Sequence, residues 1–310
     1  MPDDKHRYTG RFAPSPTGAV HFGTLLAAVA SYLQAQVNNG RWLLRMEDVD
    51  ITRKVAGADS AILNTLETFG FEWDGDVLYQ SQQTPHYEQA LQQLIEQSQV
   101  FPCTCSRKQL AALAEAAGAS RYPGICRQRT LPESRPHSLR LRCNDQRVCF
   151  HDKVMGEQCA SLADDCGDFI IKRRDGLFAY QLAVVVDDAM QGITEVVRGA
   201  DLLDSTPRQI YLQQLLGYPQ PDYLHIPLAV DRKQHKFSKS AGAASVNEHP
   251  PAHYLVQALA FLGQQPPADL LSCSIKDIWQ WALKHWRISN IPRKGSVIVD
   301  SDAISSHLQN

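Results

Sequence analysis

Two short segments, far apart in the chain, concentrate side chains suited to holding phosphate. The first is Arg11-Phe12-Ala13-Pro14-Ser15-Pro16-Thr17-Gly18, with His21-Phe22-Gly23-Thr24 close behind it. The second is Lys236-Phe237-Ser238-Lys239-Ser240. A turn that opens into a helix presents free backbone N–H groups and the positive end of the helix dipole, which suit an anion such as a triphosphate. Two lysines and two serines within five residues can clamp phosphates while charge develops in a transition state. Neither a Gly-x4-Gly-Lys-Ser/Thr loop nor a Gly-x-Gly-x-x-Gly loop occurs, which disfavours a P-loop NTPase or a dinucleotide enzyme.

A third constellation is Cys103-x-Cys105 followed by Tyr122-x3-Cys126. Three thiolates at this spacing suit Zn2+, and from spacing alone Cys143 or His137 would be an ordinary fourth ligand. Cys149, Cys159, Cys166 and Cys273 show no comparable pattern and are expected to be plain thiols.

These groups have to be positioned by the elements around them. Arg7–Ala13 reads as a strand ending in the turn with two prolines and a glycine. Phe22, Leu25, Leu26, Val29, Leu33 and Val37 then recur at helical spacing, and Asn39-Gly40 stops the helix. A strand at Trp42–Arg45, a helix over 56–69 and a strand at Val77–Gln80 follow. Thr84-Pro85 and Thr206-Pro207 read as N-cap and first-turn pairs of two further helices, the second running to Gly217. Leu139–Leu141 and Val148–Phe150 read as antiparallel strands inside an insertion, and Leu224–Val230 as a buried strand. Tyr254–Leu262 and Ile278–Trp286 read as amphipathic helices. Strand–helix alternation with one insertion predicts an α/β fold with a doubly wound, mostly parallel sheet.

Composition narrows the partners. With 31 basic and 33 acidic residues in 310, any nucleic-acid contact must come from a local patch. The candidate is the arginine run 121, 127, 129, 135, 140, 142 and 147, interrupted by acid at Glu133 and Asp145. The N-terminus has no secretory h-region and no stretch is long enough to span a bilayer, so a cytoplasmic protein with thiols in their reduced state is expected, with neither a membrane nor a DNA partner.

In this order and context, the two phosphate-handling segments resemble the HIGH and KMSKS signatures of class I aminoacyl-tRNA synthetases. The resemblance runs from Arg11 to about Ser240 and is closest to the glutamyl branch, through RFAPSPTG, RMEDVD, VLYQS, FAYQLAVVVDDAMQGIT, VVRGADLLDSTPRQIYLQQLLG and YLHIPL. Two positions depart from the pattern. Phe237 stands where methionine is usual, and Thr24 ends the first signature and is given no catalytic role.

The resemblance implies activation of L-glutamate with ATP, Mg2+ accompanying the triphosphate. His21, Lys236 and Lys239 would be catalytic, with His21, Gly23, Ser238 and Lys239 on ATP. Arg11, Ala13, Ser15, Glu47, Tyr180 and Arg198 would surround glutamate, Glu47 meeting the ammonium and Arg11 and Arg198 the carboxylates. Glutaminyl relatives lack an arginine at the place of Arg198, so that residue points to glutamate. The resemblance also makes Tyr122 the fourth ligand of a structural zinc beside Cys103, Cys105 and Cys126.

The expected organisation is a Rossmann-type catalytic domain in two halves, 1–100 and 176–245, with a zinc-binding, RNA-contacting insertion at 101–175 and a helical stem-contacting segment at 246–310. No room for an anticodon-binding domain is expected after the second signature. That matches a short branch of the family that esterifies glutamate to the queuosine base at the wobble position of tRNA(Asp); since every group needed for adenylate formation lies within residues 11–240, activation without tRNA is expected. Charging of a tRNA 3′ end by a short synthetase, or a paralogue that only binds glutamate or RNA, are the competing readings.

Overall fold

The computed structural model describes residues 8–117, 121–129, 136–235 and 245–299. The chain opens with β1 (Thr9–Phe12), α1 (Phe22–Val37), β2 (Arg41–Met46), α2 (Ala58–Thr68), β3 (Leu78–Tyr79) and α3 (Thr84–Glu96). β1, β2 and β3 are parallel, with Arg11 opposite Leu43 and Arg45 opposite Leu78. Next come β4 (Val100–Cys103), α4 (Arg107–Ala117), β5 (Ser138–Leu141), β6 (Arg147–Asp152), β7 (Gly156–Ser161) and β8 (Phe169–Lys172). The core resumes with α5 (Tyr180–Met190), β9 (Glu195–Gly199), α6 (Thr206–Leu216), β10 (Asp222–Ile226) and β11 (Leu228–Val230). α7 (Pro251–Phe261), α8 (Ile275–His285) and β12 (Ser296–Ile298) close the described chain.

β9 and β10 are parallel, and β9 lies beside β1, where the Thr194 N–H donates to the Thr9 carbonyl at 2.9 Å. Side by side, the strands run β3, β2, β1, β9, β10, β6, β7, an open sheet whose order reverses at β1. This is the doubly wound parallel sheet expected from the alternation. Successive residues of a strand face opposite sides, so each strand feeds two cores. Phe12, Trp42, Leu44, Val197 and Leu224 pack under α1, α2, α7 and α8. Val196 and Tyr223 face α3, α5 and α6 on the other side. Trp42 shows the density of the first core. It stacks on Phe12 and Phe71, meets Tyr32 edge-on and donates its indole N–H to the Ser31 hydroxyl at 3.0 Å. Cutting such a side chain back to alanine costs about 3–5 kcal/mol.

Several expectations change in detail. α1 ends as predicted, with Asn39 at φ 48° and the Gly40 N–H reaching back to the Ala35 carbonyl. Thr84 and Thr206, however, are not N-caps. Each is the first helical residue, behind Gln83 and Ser205, and Thr206 uses its hydroxyl elsewhere. The predicted strand 224–230 is broken at Pro227, which has no N–H for a ladder. Leu139–Leu141 and Val148–Phe150 lie in antiparallel strands but not with each other: β5 pairs with β4 and β8, and β6 with β7. β6 also runs parallel to β10, pairing Asp152 with Tyr223, and so joins the main sheet.

One cysteine reading is overturned. Cys149 and Cys159 are not free thiols. They sit directly opposite each other on β6 and β7, with Cα atoms 4.1 Å apart, and form a disulfide. Their separation of ten residues gave no signal, because the register of the hairpin decides which residues face each other. Among the described residues, no helix is long and apolar enough to cross a membrane.

Candidate active site

A cavity of about 700 Å³ opens at the carboxyl ends of β1, β9 and β10, beside the first turn of α1. This crossover, where the strand order reverses, is where open α/β sheets bind nucleotides. Its lining includes Arg11, Ala13, Ser15, His21, Gly23, Glu47, Tyr180 and Arg198, so eight of the site residues expected from the sequence converge there. Lys236, Ser238 and Lys239 lie outside the described residues. The chain re-enters at Ser245, which bridges to His21, and the Val246 N–H donates to the Val20 carbonyl at 3.1 Å.

The turn between β1 and α1 is shaped by Pro14, Pro16 and Gly18, the last at φ 134°, a conformation that suits glycine. His21 is the N-cap of α1, its Nδ1 accepting from the Thr24 N–H at 3.3 Å. The Thr24 hydroxyl lies 3.0 Å from Nε2 of the same ring. Thr24 therefore fixes the ring that faces the pocket, a role that its place at the end of a motif did not suggest.

Opposite the turn, strand side chains on the α5 face carry charge. Arg11 donates through Nε to Asp188 at 3.1 Å. Arg45 donates through Nη1 to the same carboxylate at 2.7 Å and to Gln191 at 2.8 Å, and lies 3.7–3.8 Å from Glu47 and Asp187. Burial alone would raise Asp188, but Arg11 and Arg45 hold it below the usual carboxylate range. Burial drives the Glu47 carboxyl up to about 7, against the pull of Arg45 and Arg11. Burial, then the Glu47 charge, raises the Tyr180 hydroxyl.

Arg198 stands in a different setting. It is 5% exposed, and no carboxylate pairs with it among the described residues. Its Nε donates to His225 Nε2 at 3.0 Å, Nη2 to the Thr206 hydroxyl at 2.9 Å, and Nη1 reaches the Tyr180 hydroxyl at 3.5 Å. A buried cation without a facing acid is costly unless something anionic meets it. With Glu47 and Asp201 also lining the cavity, the pocket offers acids beside the guanidinium groups of Arg11 and Arg198. Charges so placed can hold a zwitterion that carries an extra carboxylate.

The cysteine constellation forms a separate cluster. The thiols of Cys103, Cys105 and Cys126 lie within 4.8 Å of one another, with Cys105 and Cys126 3.6 Å apart. Thiolates about 2.3 Å from a tetrahedral metal sit roughly 3.7 Å apart, so the spacing fits. The Tyr122 oxygen is 3.5 Å from the Cys103 sulfur and 4.0 Å from that of Cys105, and it accepts from the Cys126 N–H at 2.8 Å. Burial pushes the Cys126 thiol up, but hydrogen bonds from Tyr122, the Thr104 backbone and the two other thiols bring it down to about 7. Cys143 is remote from the cluster, donating to the Gly167 carbonyl at 3.0 Å.

Among the described residues, four arginines of the run are engaged by neighbours. Arg140 is buried, stacked over Tyr122 and bonded to the Asp168 carbonyl. Arg127 pairs with Asp168 at 2.8 Å, Arg121 with Asp164 at 2.9 Å, and Arg142 covers Phe101. Arg129 and Arg147 are exposed, and Arg135 lies outside the described residues.

Comparison with known proteins agrees with this geometry. The model of the catalytic domain of class I tRNA synthetases (E and Q) matches residues 8–275. The glutamyl-Q tRNA(Asp) synthetase of Aromatoleum aromaticum is 51% identical over 288 residues, covering 93% of this chain and 91% of that protein. The enzyme of the same name from Pseudomonas paraeruginosa is 51% identical over 294 residues, covering 95% and 98%. The crystal structure of glutamate-tRNA synthetase from Elizabethkingia anophelis shares the fold, with a TM-score of 0.81 at 24% identity over 96% of this chain and 69% of that one. The chain belongs to the class I tRNA synthetases for E and Q, in the family of the glutamyl-Q tRNA(Asp) synthetases.

Proposed function

We propose that this protein activates L-glutamate with ATP, without tRNA, and transfers it to the queuosine base at the wobble position of tRNA(Asp). In the first step a glutamate α-carboxylate oxygen attacks the α-phosphorus of ATP, forming glutamyl-adenylate and releasing pyrophosphate. The nucleophile is already ionised at neutral pH, so alignment and charge stabilisation supply the catalysis. His21, Gly23, Lys236, Ser238 and Lys239 would hold the phosphates, and Mg2+ bound with ATP would offset their charge. In the second step a hydroxyl of the base's cyclopentene diol attacks the acyl carbon, an ester forms, and AMP leaves.

The observation that carries the amino-acid assignment is Arg198, a buried guanidinium on the pocket wall with hydrogen-bond acceptors but no acid to pair with among the described residues. A γ-carboxylate completes it, whereas an amide would leave the charge uncompensated. Arg11 would meet the α-carboxylate, Glu47 the ammonium, and Ala13 and Ser15 the floor of the site. The acceptor assignment rests on half-identity with proteins named glutamyl-Q tRNA(Asp) synthetase over nearly their whole length. A zinc ion held by Cys103, Cys105, Cys126 and Tyr122 would brace the segment around them.

ATP–pyrophosphate exchange should proceed with glutamate alone, and strict dependence on tRNA would remove the first step as stated. Labelled glutamate should then appear on tRNA from cells that make queuosine and resist prior periodate oxidation of the 3′ terminus. Equal labelling of queuosine-free tRNA, or loss of label after periodate, would reassign the acceptor to the terminal ribose.

A further inference from the structure

Three neighbouring strands of the sheet present polar side chains to one another in a line. Asp152 ends β6, His225 lies in β10 and Arg198 in β9, where His225 and Arg198 are direct cross-strand partners. His225 is fully buried, as is Asp152. His225 Nδ1 is 2.7 Å from Asp152 Oδ2, and its Nε2 is 3.0 Å from Arg198 Nε. Asp152 is itself tied by backbone N–H groups, Oδ1 accepting from Val154 at 3.0 Å and Met155 at 2.7 Å, and Oδ2 from His225 at 3.1 Å.

The chemistry of the three groups leaves one arrangement. A carboxylate so tied accepts, so Nδ1 carries the proton. An arginine Nε only donates, so Nε2 must offer its lone pair. The imidazole is therefore neutral and in a single tautomer. We propose that Asp152 and His225 are positioning residues for amino-acid selection, holding the Arg198 guanidinium by its Nε so that its Nη1 group faces the ligand's side-chain carboxylate. The inference rests on the reading that Arg198 meets that carboxylate.

The arrangement solves an electrostatic problem. A carboxylate bonded directly to Arg198 would lower the cost of burying the cation but would occupy the edge that should receive substrate. Setting the acid one imidazole away keeps its negative charge near the cation and leaves Nη1, which otherwise only reaches the Tyr180 hydroxyl at 3.5 Å, to meet a ligand carboxylate. Thr206 adds a second fixed point at Nη2, at 2.9 Å. With Nε and Nη2 anchored, the plane of the guanidinium is set.

The test compares glutamate and ATP saturation in pyrophosphate exchange for the wild type, Asp152→Asn, His225→Leu and His225→Gln. The asparagine can donate to Nδ1, which permits the wrong tautomer with a proton facing Arg198. Asp152→Asn and His225→Leu should raise the KM for glutamate about thirtyfold or more and leave the KM for ATP within about twofold. His225→Gln, whose amide oxygen can still accept from Arg198 Nε, should recover most of the loss. Equal rises in both KM values, or a glutamine variant no better than leucine, would overturn the proposal. Nitrogen NMR of the wild-type imidazole needs no variant. It should report a protonated Nδ1 and a bare Nε2 at pH 7, and the opposite tautomer or a doubly protonated ring would also overturn it. Arg198→Ala separates the two layers: a normal KM for glutamate there sinks the underlying reading, whereas a large rise there with none at His225 sinks the relay alone.

Discussion

Arg45 and Arg198 are both buried guanidinium groups on the α5 face of the same sheet, yet their surroundings are opposite. Arg45 is fully enclosed and has Glu47, Asp187 and Asp188 within 4 Å, with Arg11 sharing Asp188. Arg198 faces an imidazole, two hydroxyls and a carbonyl. The first is an ion cluster whose acids and bases face each other whether or not a ligand is present, although Arg45 Nε and Nη2 make no hydrogen bond. The second is a charge met by neutral partners alone, its Nη1 group placed to receive an anion. The difference shows how one sheet can use the same residue type for cohesion in one place and for selection in another.

The contrast predicts different costs on mutation, greatest at the ion cluster. Arg45→Met should destabilise the fold by about 3–5 kcal/mol in urea unfolding, because three carboxyl groups lose their buried cation. An unchanged midpoint would mean that the acids simply take up protons, and the cluster would not be cohesive.

Arg198→Cys should do the reverse. Efficiency of glutamate activation should fall about a hundredfold, the scale of losing a charged hydrogen-bonding partner in a desolvated pocket. Stability should move by less than about 1 kcal/mol, since no acid is orphaned within reach. Glutamine activity need not appear, because an amide needs contacts of its own. A stability loss matching that of Arg45→Met would erase the comparison.

Glu47 belongs to the ion cluster but also lines the cavity, and pH should reveal this double membership. Burial raises its carboxyl to about 7, so in acid the free protein carries it protonated. An arriving ammonium favours the ionised form and must displace that proton. The KM for glutamate should therefore climb toward tenfold per pH unit below 7 and be flat above it. The sign for folding is opposite: with a folded-state value above the unfolded one of about 4.3, this group favours the folded state in acid. That contribution fades as pH rises from there to about 7. Glu47→Gln should flatten the KM profile, and an unaltered slope would place the titrating group elsewhere.

The smallest effect on glutamate activation is expected outside both clusters. Cys126→Ser should abolish stoichiometric zinc by atomic absorption and loosen the segment around it, with pyrophosphate exchange kept within about threefold. A wild-type protein free of metal and normally stable would return these cysteines to the role of buried thiols.

Much of this was legible locally. The Pro-Gly turn, the periodic apolar stripe of α1 and its stop at Asn39-Gly40 depend on residues within a few positions of each other, and each falls where backbone sterics and helix periodicity put it. The trio Cys103, Cys105 and Cys126 could be read from spacing because its members share one short segment. By contrast, Asp152 and His225 are 73 positions apart and carry no local mark. Thr206 reads as a cap from its neighbours and becomes a partner of Arg198 because β9 lies beneath the start of α6. The arginine run looks like a cationic surface, yet Asp164, Asp168 and Phe101, from outside it, meet Arg121, Arg127 and Arg142, and Tyr122 within it stacks on Arg140. Types of element, and residues fit for phosphate or metal, follow from the sequence, because they reflect short-range geometry and intrinsic chemistry. Which cations are closed by acids and which stay open to a ligand is decided by the tertiary structure, because at a few ångströms in a dry interior a single distant carboxylate changes the sign of what a buried charge demands.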